Sequence, residues 1–304
     1  MFVEDVLTGA VRYGASVLFA TQGELVAERS GVVNLGTEGS MLCGALAGFA
    51  VAAEAGSALP GVLAGLVAGA LLALVHAYVV IDRNANQLAA GLAITFLGLG
   101  LTAAIGTSFV DRRIDGLGEA PIPLLSQIPF FGSFLFSHDL LTYLALLLGP
   151  LLWWLLFRTR WGLLLRATGE DPEVVRAYGH SPRRIRYLAT VAGGALAGLG
   201  GAQLVLAFTL NWVENATAGR GFVACALVIF AAWRPLRAML GAFVFGGAAA
   251  LQLQLQARGI DVSSFVLEMV PYVLTLLVLA IASWRGGQQM PAGLKAVFDS
   301  GRSR

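Results

Sequence analysis

The sequence predicts an all-α fold, a polytopic transmembrane helical bundle of about nine spans. Three observations predict it. The 304 residues are 57% hydrophobic and only 12% charged, whereas a soluble domain carries about 25% charged residues. The apolar residues fall into repeated runs of about 20, the length that crosses a bilayer as a helix. The arginines cluster between those runs, as they do at one side of a membrane. The 38 glycines suit close helix contacts in lipid. A net charge of +2, with arginines in clusters rather than along a face, argues against nucleic acid.

In chain order, the runs lie near 6–27, 39–55, 58–81, 87–109, 139–157, 186–208, 220–233, 236–257 and 264–284. The second and seventh are short. Acidic Glu4 and Asp5 open the first run, so no cleavable signal peptide is expected. Between the first two runs lies the polar stretch 28–39. It reads as a tight loop, or as a broken or re-entrant segment held inside the bundle. Non-helical backbone at membrane depth survives only where protein or a wet cavity satisfies it. Gly36 and Gly39 permit such a turn, and Glu28 and Arg29 are placed to pair locally and hold it.

Arginine placement sets orientation. Residues 158–186 hold Arg158, Arg160, Arg166, Arg176, Arg183, Arg184 and Arg186, which predicts a cytoplasmic segment. Counting spans puts 28–29, 82–84, 234–237 and the 286–304 tail on that side, and 110–138 outside. Arg112 and Arg113 run against the rule. The division expected is a permease domain over 1–285, with the cytoplasmic segment 158–186 and the extracytoplasmic segment 110–138, followed by a frayed cytoplasmic tail. Three prolines and four phenylalanines between 121 and 136 suggest a structured interfacial cap.

Little in the chain points to catalysis. Cys43 and Cys225 lie in apolar runs without metal spacing. His76, His138 and His180 are isolated in sequence. Gly193, Gly194, Gly198, Gly200 and Gly201 follow no strand and read as helix packing. The single lysine, Lys295, lies in the tail, so the chain has no Walker A motif. Polar residues inside spans are the default functional candidates. Asn34 and Glu38 flank Gly36 in the break. Gln87 and Thr95 share a helix face, and Phe222 follows Gly219 and Gly221 and has a ring suited to stacking. These five are the candidate solute pathway. Gln203, Asn211, Glu214 and Asn215 fall toward the outer end of their run.

The segment 168–184 is the most structured cytoplasmic stretch. Asp171 is a good N-cap with Pro172 at the first helical position, and Glu173 favours the positive helix start. Gly179 terminates the turn, and Ser181 and Pro182 begin the next helix. A helix over 172–178 is too short to persist alone in water. Val174, Val175, Ala177 and Tyr178 would suit a groove on a soluble partner. The residues alone leave that reading level with a loop packed on its own bundle.

The stretch Ala167 to Gly179 resembles the coupling helix of ABC importer permeases, in the branch that handles nucleosides, simple sugars and branched-chain amino acids. The run Gly23 to Gly39, GELVAERSGVVNLGTEG, is similar to the same stretch of the nucleoside and simple-sugar permeases. So are Thr217 to Phe222 with Trp233-Arg234-Pro235-Leu236, Asn86-Gln87, and Gly91-Leu92-Ala93. Thr95 and Ala216 depart from the asparagine and methionine common there. The resemblance implies a non-catalytic permease subunit of an importer for nucleosides or related sugars, in a bacterial cytoplasmic membrane. It implies a cytoplasmic ATPase that holds ATP and Mg and docks on Glu170, Pro172, Glu173, Ala177, Tyr178 and Gly179. A second permease, expected to be a paralogue, and an extracytoplasmic solute-binding lipoprotein complete the assembly. A stand-alone secondary transporter or channel is the alternative. It predicts broken helices in both halves, and the sequence displays one clear break.

Overall fold

The computed structural model describes residues 2–128, 131–258 and 290–299, with a few positions between 269 and 280. Almost all of the expected ninth span, 264–284, therefore lies outside the described residues. The described residues are mostly helical, and among them the only strand-like pairing is an isolated bridge between Arg113 and Asn211.

The helices are α1 (Phe2–Arg29), α2 (Thr37–Ala55), α3 (Ala58–Ala77), α4 (Gln87–Gly106), α5 (Phe131–Phe136), α6 (Leu140–Arg158), α7 (Arg160–Glu170), α8 (Pro172–Ala177), α9 (Pro182–Gln203), α10 (Arg220–Phe230), α11 (Pro235–Ala257) and α12 (Ala292–Asp299). Single π-helical turns prolong α3 to Asp82 and α9 to Thr209. Five of the described helices are long and apolar enough to cross a membrane: 58–82, 87–109, 140–158, 182–209 and 235–257. The chain is thus a membrane protein by composition and by helix length.

α1 is the axis of the bundle. It packs on α9, α10 and α11 and is buried from Ala10 to Arg29 with few exceptions. Gln22, Glu24, Glu28 and Arg29 explain the position: such side chains are costly against lipid and must face protein. α2, α3 and α9 form a second layer in which backbones touch. A Cβ on Gly198 would strike the carbonyl of Gly65, and one on Gly44 would strike the backbone of Gly198. Small residues permit this approach, which gains dispersion contacts where no hydrophobic drive separates helix from lipid.

The two ends of the bundle are tied differently. At one end Arg183 forks onto Asp82, with Nε to Oδ1 at 2.7 Å, and Tyr187 donates to the same carboxylate. Arg186 donates to the Ser30 carbonyl and Arg29 to the Trp233 carbonyl. At the other end Arg112 pairs with Glu54, Arg12 pairs with Glu119, and the Leu117 amide reaches the Leu206 carbonyl. Residues 29, 82, 183 and 186, which span counting assigned to one side, therefore sit at one end.

Four expectations change. Glu28 and Arg29 do not hold the break by pairing with each other; both reach Trp233. The seventh run, expected over 220–233, starts where expected but forms only the 11-residue α10, because left-handed residues at Ala232 and Trp233 end it early. Val175 is buried rather than exposed. The tail is not frayed throughout: α12 lies against α7 with Leu294 buried and Gly293 near the Gly169 carbonyl.

Candidate functional site

α1 does not run on into α2; residues 30–36 cross between them as turns and coil. Backbone bonds lie at the two ends, from the Ser30 and Gly31 amides back to Ala27 and Glu28 and from the Thr37 and Ser40 amides to Asn34 and Gly36. The stretch is buried except for Leu35, which is partly exposed. Buried backbone groups need partners, and here side chains supply them. Gln87 Oε1 accepts from the Val33 amide at 2.8 Å, and His76 Nε2 meets the Val33 carbonyl at 3.1 Å. Glu24 Oε1 accepts from the Asn34 amide at 2.7 Å, while its Oε2 accepts from the Thr37 hydroxyl at 2.8 Å. Thr95 donates to the Leu35 carbonyl at 2.9 Å. Asn34 closes the turn itself, with Oδ1 accepting from the Gly36 amide at 3.0 Å. Four helices thus converge on seven residues of coil.

A second break lies opposite. After the π turn of α9 the chain turns at left-handed Leu210 and stays non-helical to Gly219, so α10 starts part-way through the bundle. Both ends of α10 are gripped by carboxylates of the α1–α2 region. At its start Glu38 Oε1 accepts from the Thr217 hydroxyl at 2.5 Å and the Gly219 amide at 2.9 Å, and Oε2 accepts from the Gly221 amide at 2.6 Å. At its far end Glu28 Oε2 accepts from the Trp233 indole at 2.5 Å, and Arg29 Nε and Nη2 donate to the Trp233 carbonyl. Ala232 and Trp233 both hold positive φ, at a cost of about 1–3 kcal/mol each that the buried indole contact offsets.

Comparison with known proteins decides the family. The profile of the branched-chain amino acid transport system permease component matches residues 6–282. A putative glucose ABC transporter permease protein of Haloferax volcanii is 38% identical over 92% of both chains. The guanosine ABC transporter permease protein NupQ of Bacillus subtilis is 34% identical over 88% of both. The nucleoside ABC transporter permease protein NupC of Lactococcus lactis is 32% identical over 92% of both. No solved structure matches. The chain belongs to this family of ABC transporter permeases.

In the permease, the five pathway candidates divide. Asn34, Glu38, Gln87 and Thr95 all converge on the two breaks, and Asn34 and Glu38 are 1% and 2% exposed. Asn34 Oδ1, Gln87 and Thr95 bond the chain's own backbone, and Glu38 bonds two backbone amides and the Thr217 hydroxyl. Phe222 stands apart from that network and is 40% exposed. Beside it, Val213, Glu214, Asn215 and Ala218 are exposed, which at membrane depth suits a wet cavity or a protein neighbour.

Sequence reasoning passed over Glu24, Thr37, His76, Thr217 and Trp233 as site residues. Glu24 and Glu28 stand one helical turn apart, and that spacing was the available signal. His76 gave none, being a lone histidine in an apolar helix.

The other candidate surface is α8. Asp171 Oδ1 accepts from the Glu173 amide at 2.9 Å and caps it, and Gly179 closes it at φ +80°. Val175 anchors it while Val174, Ala177 and Tyr178 face outward, Tyr178 at 80% exposure. Glu173 pairs with Arg176 on the exposed face. Pro172 is half-buried, and the Glu170 carboxylate accepts from the Ala292 amide of α12.

Proposed function

We propose that the permease is one transmembrane subunit of an ATP-driven importer for nucleosides or related simple sugars, coupled to a separate cytoplasmic ATPase through α8. The carrying observation is α8 itself. A six-residue helix with a cap at each end and one buried anchor presents an aromatic ring and a valine to solvent, next to an arginine-rich segment. Substrate class is inferred from the relatives named for guanosine, nucleoside and glucose transport.

In this reading 158–186, Asp82, the 233–234 turn and α12 face the cytoplasm. The chain crosses the bilayer about nine times, with α1, α2, the α10 region and 264–284 added to the five long apolar helices. ATP and Mg reside on the partner ATPase. Its binding closes that protein, pulls α8, and rocks this subunit against a paralogous permease between outward- and inward-facing states. An extracytoplasmic binding lipoprotein delivers the solute. Phe222 and the exposed residues Val213, Glu214, Asn215 and Ala218 line the pathway. Asn34, Glu38, Gln87 and Thr95 fix the shape of its wall. Glu170, Pro172 and Gly179 set the position of α8, and Glu173, Ala177 and Tyr178 meet the ATPase.

The second break also suits a stand-alone secondary transporter, which builds its site from broken helices in both halves. Two measurements decide. Tyr178→Asp is expected to abolish copurification of the ATPase while leaving membrane levels and thermal stability unchanged. Normal copurification would remove α8 from the coupling role. Substrate-dependent flux through the purified chain alone in vesicles would favour the second reading.

A further inference from the structure

A cavity of about 740 Å³ opens where the end of α6, α7 and the turn before α11 meet, lined among others by Arg29, Arg166, Arg234, Glu170, Trp153 and Phe157. Its charge is out of balance. Three guanidinium groups face one carboxylate, and that carboxylate already accepts from the Ala292 amide. Arg29 is 8% exposed and commits Nε and Nη2 to the Trp233 carbonyl, which leaves Nη1 without a partner among the described residues. Arg166 commits Nε to the Leu156 carbonyl and lies 4.9 Å over the Phe157 ring, with Arg29 5.8 Å from the same ring. The Arg234 side chain makes no hydrogen bond or ion pair among the described residues. Arg166 and Arg234 both lie close enough to Arg29 to repel its charge.

Like charges gathered in an aromatic-walled cleft repel one another across a medium that screens less than water. An anion relieves that repulsion, and guanidinium forks match phosphate oxygens in pairs. The position of the cleft selects the source. Leu144, Leu147, Leu151 and Trp154 form an exposed stripe along α6, the pattern of a lipid-facing surface, and the cleft lies at the foot of that stripe. Trp153 in its wall is the side chain favoured at headgroup depth. Basic pockets between transmembrane helices at this level take anionic headgroups.

We propose that this cleft binds a phosphate group presented by the headgroup of an anionic membrane phospholipid. The proposal is independent of which solute is carried and of the α8 assignment. A bound headgroup would tie α6 and α7 to the Trp233 turn, and so to both breaks.

The test uses the permease purified with whatever subunits accompany it, delipidated in neutral detergent and titrated by native mass spectrometry. Phosphatidylglycerol is expected to occupy one site per chain about tenfold more tightly than phosphatidylcholine, as follows from two to three arginine contacts partly offset by detergent. Arg234→Gln, at an exposed side chain with no hydrogen bond or ion pair among the described residues, is expected to weaken phosphatidylglycerol about fivefold. Arg234→Lys should retain most of the binding, and Arg113→Gln, at the opposite end of the bundle, should change nothing. Arg166→Gln with Arg234→Gln should remove the preference if that variant folds; the single Arg234→Gln result decides the matter regardless. Equal retention of the two lipids, or unchanged binding by Arg234→Gln, would overturn the proposal. So would inorganic phosphate binding as tightly as the lipid, which would mark a site for a free anion. Lipid retention seen only after the ATPase is stripped would instead mark the cleft as that protein's docking surface.

Discussion

The break at 30–36 and the short helix α8 are both interruptions of a helical chain, yet they are held in opposite ways. The break is buried, and its backbone is satisfied by Gln87, His76, Glu24 and Thr95, residues distant in sequence. α8 is exposed, and its ends are satisfied by its neighbours: Asp171 caps the start, and the amides of Gly179 and His180 return to the Arg176 and Val175 carbonyls at the finish. A segment held from outside has the shape its surroundings impose and shifts only when they shift. A segment held by itself keeps its shape when a partner pulls it. The first arrangement fits a pathway wall, and the second fits a handle.

Glu38→Ala is the strongest way to break the comparison. It removes one carboxylate and strands the Thr217 hydroxyl and the Gly219 and Gly221 amides at a buried site. Each orphaned donor costs about 1–3 kcal/mol. A loss of about 3–5 kcal/mol is expected, the range for removing one partner of a buried charged network. A thermal melt in detergent followed by Trp fluorescence measures it. A variant as stable as the parent would mean that α10 is not clamped at its start.

Trp233→Phe is the gentler cut at the other clamp. An aromatic ring is kept, and the indole donor to Glu28 is lost together with part of the ring volume at a fully buried position. About 1–3 kcal/mol is expected for a hydrogen bond to a carboxyl group, again from the melt. Because Arg29 still binds the backbone carbonyl of residue 233, uptake should fall less than in Glu38→Ala. Equal effects would show that the two clamps act as one unit.

What the sequence disclosed follows the same division. The caps of α8 are local, so Asp171, Pro172 and Gly179 predicted its bounds to within a residue. The break was legible too, as a loop or a broken segment, because a twelve-residue stretch with Glu28, Arg29, Asn34 and Glu38 between apolar runs has few other places to go. Its partners were not legible. That Gln87 and Thr95 reach 31–35, or that His76 does, depends on how α3 and α4 pack, and no spacing within one helix encodes that. The second break was legible only as a gap between the runs 186–208 and 220–233; that Glu38 of α2 clamps it inside the bundle depends on packing, and Ala218, Ala232 and Trp233 adopt positive φ without glycine to mark the turns. The buried face of Val175 needed α7 and α9 in place before it could be seen.

Asn34→Ala sharpens the account from the side of transport. Asn34 Oδ1 caps the Gly36 amide inside the break, so its loss should cost about 1 kcal/mol, as at a helix cap. Labelled nucleoside uptake should fall at unchanged membrane level. Full uptake would mean that the exact shape of 34–36 does not matter to the pathway.

Asp171→Ala has the smallest expected effect on the fold and the most selective one on function. Losing the cap frees the Glu173 and Val174 amides, but both lie at an exposed position where water replaces the carboxylate. The melt should move by less than the roughly 1 kcal/mol of an ordinary cap loss, because unravelling α8 does not disturb the bundle. A six-residue helix has little intrinsic stability, so without its cap the order of α8 rests on the single anchor Val175. ATPase association should therefore weaken, by about fivefold if the cap contributes its usual 1 kcal/mol to docking. Asp171→Asn, which keeps an accepting oxygen, should restore it. If association falls and the Asn variant does not rescue it, the carboxylate contacts the partner directly, and α8 would be a binding epitope rather than a preformed handle.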